Sequence, residues 1–143
     1  MRKDIDRVNE FEVRFELQGK DFNPDDISAL VNIKPTSIQN GQPGKYSTSH
    51  WILSSGIQKG TVVDIGAAAE SLIDQLKVAE LKIIDLLNKY QLKSYLEIEV
   101  RLAPHIFSTN YEKLDDVRIT FEPEQLRFLT AVNTILNVDI EYD

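Results

Sequence analysis

The chain contains no cysteine, which removes disulfides, thiolate-bound zinc and cysteine nucleophiles from consideration at once. Histidine is nearly as scarce. His50 and His105 stand alone, without the close His or carboxylate spacing of zinc sites, so neither a metal nor another cofactor is expected. No apolar run approaches the roughly 18 residues of a membrane span. The opening Met1-Arg2-Lys3-Asp4-Ile5-Asp6-Arg7 alternates charges where a signal peptide would place an apolar stretch. The expectation is a cytoplasmic protein without membrane attachment.

Basic residues are outnumbered: 16 Lys and Arg stand against 23 Asp and Glu, for a net charge of -7. Nucleic-acid affinity rests on Lys and Arg displacing condensed counterions, so an acidic chain argues against DNA and RNA. The same field steers a basic protein partner toward the surface, and it also keeps an ordinary domain soluble.

Catalytic patterns are missing too. No Gly-x-Ser-x-Gly nucleophile elbow occurs, and Ser54-Ser55-Gly56 reads as a turn. The stretch Gly41-Gln42-Pro43-Gly44-Lys45 lacks the second half of a phosphate loop and puts proline where a backbone donor is wanted. Glu97 with Glu99 and Asp115 with Asp116 are paired carboxylates, but acid and base work needs a cleft that raises one pKa. No catalytic residue is assigned, and a non-enzyme is the expected reading.

What is present fits one domain spanning 1–143. A chain of 143 residues buries roughly 68% of its unfolded surface, enough for a core without staples. With 42% hydrophobic and 27% charged residues, the composition is that of a globular protein. Phe11, Val13, Phe15 and Leu17 alternate with Glu12, Arg14, Glu16 and Gln18, the period of a half-buried strand. Asn23-Pro24-Asp25-Asp26 supplies a cap, a first-turn proline and acids for a helix striped by Ile27, Leu30 and Val31. From Lys34 to Thr48, Pro35, Gly41, Pro43 and Gly44 read as a long loop, and the strand at His50–Ser54 carries the sole tryptophan, Trp51.

From Asp64 to Gln91, Ile65, Ala69, Leu72, Leu76, Ala79, Ile83, Leu87 and Tyr90 step at a helical period. One long helix or two breaking near Lys77 both fit, and domain size favours the break. Leu96, Ile98, Val100 and Leu102 alternate as a strand. A loop over Pro104–Asp116, a short strand at Val117–Phe121, a helix opened by Pro123 and striped by Leu126, Leu129, Val132 and Ile135, and a final strand through Val138, Ile140 and Tyr142 complete the chain.

Strands covered on both sides read as continuous apolar runs, whereas these alternate. The expected fold is therefore α+β: a mainly antiparallel sheet of roughly four or five strands with helices on one face, in the order β-α-β-α(α)-β-β-α-β, with a ferredoxin-like split β-α-β arrangement in view. The alternation gathers Glu12, Arg14, Glu16, Glu97, Glu99, Arg101, Arg118, Asp139 and Glu141 on the uncovered face. An edge strand such as the last leaves a homodimer open.

At Gly19, in the helix start Asn23-Pro24-Asp25-Asp26-Ile27, in Ile33-Lys34-Pro35-Thr36 followed by Gly41 and Trp51, and in the closing Leu126, Leu129 and Asp139-Ile140-Glu141-Tyr142, the chain resembles a bacterial family described as domain of unknown function 4279. The likeness covers nearly the whole sequence. One departure is Val31-Asn32, where the family usually has leucine-glycine. The resemblance implies a fold type and a bacterial source and no catalysis; small acidic bacterial proteins of this sort resemble immunity proteins paired with toxins, an analogy by association.

Two readings follow. The first is a non-catalytic protein-binding domain, immunity-type or regulatory, that meets a basic protein with Glu12, Arg14, Glu97, Glu99 and Arg101 or with the Pro35, Thr36 and Gly41 loop. The alternative is a ligand-binding or enzymatic domain with a pocket near Trp51. For Trp51 itself, burial beneath the loop is the competing structural explanation.

Overall fold

The computed structural model describes residues 9–41, 48–59, 62–102 and 119–142. Its elements are β1 (Glu10–Lys20), α1 (Pro24–Val31), β2 (Ser37–Gln39), β3 (Thr48–Ser54), β4 (Gln58–Lys59), α2 (Val62–Lys77), α3 (Glu80–Tyr90), β5 (Lys93–Leu102), α4 (Pro123–Ala131) and β6 (Thr134–Tyr142). They form an α+β fold with four helices and a six-stranded sheet in which β2, β3, β1, β5 and β6 lie side by side and β4 pairs with β1.

Strand alternation decides which side is covered. Phe11, Val13, Phe15 and Leu17 of β1, Leu96, Ile98 and Val100 of β5, and Trp51 and Leu53 of β3 are buried on one side. The register sets these rows beside one another, pairing Phe15 with Leu96 and Leu17 with Trp51. Against them pack Ile27 and Val31 of α1, Ile65, Ala69, Leu72, Ile73 and Leu76 of α2, Ile83 and Leu86 of α3, and Phe128 and Leu129 of α4. Burying a side chain of this size contributes about 1.5–3 kcal/mol, so this layer, set against the entropy of ordering the chain, holds the fold together.

The helices begin and end for local reasons. Asn23 caps α1 by accepting from the Asp25 amide at 3.0 Å, and Pro24 supplies the first helical φ. The helix stops at Asn32, which adopts a left-handed φ of 57°. Glu122 and Gln125 form a reciprocal capping box ahead of α4. The long helical stretch is two helices, α2 ending at Lys77 and α3 starting at Glu80.

Several expectations change. The Lys34–Thr48 segment is not loop throughout: Ser37–Gln39 forms the edge strand β2, paired antiparallel with β3, which, with β4, raises the strand total to six. Leu30 is not part of the buried stripe of α1; it is 47% exposed. Ile119–Phe121, the described part of the expected Val117–Phe121 strand, are not in a strand, and Val117 and Arg118 lie outside the described residues, as does the expected Pro104–Asp116 loop. Among the described residues α4 is the element between β5 and β6, and these two strands pair in parallel. The other pairings are antiparallel. A ferredoxin-like arrangement is not confirmed, since β1 lies between β3 and β5 and runs antiparallel to both.

Candidate functional site

The helices cover one side of the sheet and leave the other open. In register on the open side, Glu12 of β1 faces Glu99 of β5, Arg14 faces Glu97 and Glu10 faces Arg101, while Glu99 and Arg101 face Asp139 and Glu141 of β6. Like charges directly across a ladder are unfavourable, and Arg14 relieves the pair nearest it. Its Nη2 donates to Glu99 Oε1 at 2.8 Å, its Nη1 donates to Glu12 Oε1 at 3.1 Å, and its Nε stands 3.8 Å from Glu16 Oε2. Partial burial works against the charge on Arg14, but the hydrogen bond and field of Glu99, joined by Glu12 and Glu16, outweigh it and hold its pKa above the ordinary arginine value.

Glu16 is the deepest acid on this side, 8% exposed. It accepts from Gln18 Nε2 at 3.3 Å, and its Oε1 lies 3.2 Å from His50 Nδ1. Ser54 Oγ donates to Glu12 Oε2 at 2.6 Å and accepts from the Gly56 amide at 2.8 Å. Ser54 is the last residue of β3, Gly56 follows at φ +74°, and the Ser54 hydroxyl orients the Glu12 carboxylate.

Toward the Glu10 end of β1 the acids outrun their partners. A shallow recess of about 60 Å³ is bordered by Glu10, Glu12, Glu99, Asp139 and Glu141, with Arg101 as the only basic residue and Ile57 on its edge. Two of the five carboxylates, Glu12 and Glu99, are held by Arg14, and Glu10 stands across the ladder from Lys59, which leaves the border acidic on balance. Arg101 is itself drawn toward Glu141, 3.7 Å away. Ile57 is 74% exposed and adds an apolar contact point to an otherwise ionic rim.

The opposite end of the sheet has the other sign. A bowl of about 630 Å³ opens between the end of α3 and the start of β5, with Lys20, Lys89, Lys93, Tyr90 and Tyr95 around it and Asp21 as the one acid. The Lys89 ammonium lies 5.2 Å from the Tyr90 ring centroid, a cation–π distance.

Of the residues singled out from sequence, Glu12, Arg14, Glu97, Glu99 and Arg101 come together on the open face. Pro35, Thr36 and Gly41 flank the edge strand β2. The Thr36 amide donates to Ile52 O at 2.8 Å, its hydroxyl accepts from the Ser54 amide at 2.8 Å, and the Gly41 amide donates to Ser49 Oγ at 2.9 Å. These bonds tie β2 to β3. Trp51 lies on the covered side, 1% exposed, with its indole N–H donating to Ser28 Oγ at 3.0 Å; it lines neither concavity.

Sequence reasoning passed over Ile57 and Glu10 in the acidic recess and the three lysines of the bowl. Glu10 carried a usable signal, since it continues the alternation of β1 by one step. The lysines carried none: Lys20, Lys89 and Lys93 meet only because α3 returns the chain to the end of β1.

Among the described residues no group of three or more His, Cys, Asp or Glu has metal-binding geometry, and no helix is long and apolar enough to cross a membrane. Comparison with curated proteins and with solved structures returned no match. A family model does match, over residues 9–143, and by that match the chain belongs to the family described as Domain of unknown function (DUF4279).

Proposed function

We propose that this protein is a non-catalytic binding domain, of the immunity or regulatory type, that presents the open acidic side of its sheet to a basic protein. The observation that carries the reading is the acidic recess: five carboxylates and Arg101 along its border, with the exposed Ile57 beside them. Complementary potentials of this kind raise association rates and select partners. The experiment is capture from the native host with wild-type protein and with the Glu10→Lys/Glu99→Lys variant, each checked for folding by circular dichroism. A basic protein held stoichiometrically by the wild type, released by salt and lost from the variant supports the proposal; the same proteins on both, or none on either, overturns it.

A second reading rests on the bowl of about 630 Å³, within the ~300–1,000 Å³ range of small-ligand sites. Lys20, Lys89 and Lys93 make no ion pair among the described residues, which suits a small organic anion with an aromatic part to lie on Tyr90 or Tyr95. A thermal-shift series with nucleoside monophosphates tests it, and no stabilisation of wild type beyond that of a Lys89→Ala/Lys93→Ala variant refutes it.

A further inference from the structure

The two edges of the sheet are unlike. The edge strand β2 is three residues long, a length that offers little template for another chain. The other edge, β6, runs nine residues, Thr-Ile-Leu-Asn-Val-Asp-Ile-Glu-Tyr. It holds no proline, lysine or arginine, the usual guards of an exposed edge. On its covered side Leu136, Val138 and Ile140 are 47%, 45% and 40% exposed, whereas their neighbours on β5, Leu96, Ile98 and Val100, are at most 2% exposed. The apolar layer thus runs on past β5 onto half-exposed side chains, and among the described residues no strand pairs with the outer side of β6.

We infer that a second copy of this chain occupies that edge, with the two β6 strands antiparallel about a two-fold axis at Val138. A two-fold pair must set residues of the same side opposite each other, so the axis passes through a residue, and few registers are open. Val138 is the midpoint of Thr134–Tyr142, so this register alone pairs all nine residues. It puts Leu136 against Ile140, Val138 against its own copy and Asn137 against Asp139. Moving the axis to Asp139 would oppose two carboxylates directly, which is unfavourable. Moving it to Asn137 would put Ile140 against Thr134 and leave Glu141 and Tyr142 unpaired. One edge strand and three half-exposed side chains from each copy place the interface at the small end of the range, below roughly 1,200 Å² in total, where association is weak and concentration-dependent. The inference does not depend on the binding reading above.

The absence of cysteine makes the register directly readable. Under mild oxidation a Val138→Cys chain should cross-link to its own kind, because that residue meets itself across the axis, while an Ile140→Cys chain should not. Analytical ultracentrifugation of the full chain up to about 100 μM should show dimer, weakened about tenfold or more by Val138→Lys, with circular dichroism reporting that the variant is folded. The inference is overturned by a wild-type chain that stays monomeric throughout, by a dimer indifferent to Val138→Lys, or by Ile140→Cys cross-linking as readily as Val138→Cys.

Discussion

The Trp51 indole N–H is buried and has Ser28 Oγ as its acceptor at 3.0 Å, which makes Ser28→Ala a direct measure of how α1 is tied to β3. Removing the hydroxyl leaves a buried donor without a partner, a loss of about 1–3 kcal/mol. Alanine returns about 0.5 kcal/mol through its better helix propensity. The weak bond from Ser28 Oγ to Pro24 O, at 3.4 Å, adds little. The expected net loss is about 1–2 kcal/mol, or roughly 3–8 °C in Tm for a domain of this size. Trp51→Phe removes the donor and leaves a cavity, so it also destabilises. In that background Ser28→Ala should cost almost nothing, since the hydroxyl no longer has a buried donor to satisfy. Urea unfolding of the four chains, followed by far-ultraviolet circular dichroism, closes the cycle and should give a coupling of about 1 kcal/mol or more. Equal costs of Ser28→Ala in both backgrounds would refute the assignment of this bond as the tie.

A Cβ added at Gly19 would stand 2.5 Å from Leu92 Cδ2, the far end of a side chain that can turn aside, and alanine offsets the adjustment by about 0.5–1 kcal/mol in a strand, so Gly19→Ala should change stability by less than about 1 kcal/mol in urea unfolding, and a larger loss would contradict this. The Arg127 guanidinium donates two hydrogen bonds to Glu80, at 2.9 and 3.1 Å, joining α4 to α3; that bonding, opposed by a little desolvation, holds the Glu80 carboxyl below its ordinary value of 4.5. A carboxyl with a depressed folded pKa contributes stability that is complete above its unfolded pKa and disappears as pH falls through the folded one. The stability gap between wild type and Arg127→Met should therefore be full at neutral pH and close as the solution is acidified below pH 4.5; a gap that does not change with pH would contradict this.

Much of the sheet was legible because its strands alternate strictly. Val13 and Ile98 are fully buried, as the period demands, and Glu12, Arg14, Glu97, Glu99 and Arg101 share the open side for the same reason. What the alternation cannot encode is which strands are neighbours. The parallel pairing of β5 with β6 follows from the α4 crossover between them, and a period of two is identical in either direction. The strand β2 was hidden because Ser37, Ile38 and Gln39 are all exposed, and a three-residue edge has no buried row to generate a pattern. The site was half legible on the same terms: the acids of the face were visible, whereas the recess depends on the Ser55–Ile57 turn reaching the Glu10 end of β1, a long-range contact without a sequence period.

The central position of β1 has a consequence for synthesis. This strand leaves the ribosome before both of its main partners, β3 and β5, and Glu10 is paired with the distant Arg101. Until that later segment emerges, Phe11, Val13, Phe15 and Leu17 have only half of their sheet to lie in, and the nascent chain must carry an apolar strand with one open ladder. Long-range pairing of this kind slows closure and lengthens the interval in which such a strand can find the wrong neighbour; the glutamates and arginine alternating along it repel or solvate one side of any mispaired sheet while the chain waits for its true partner.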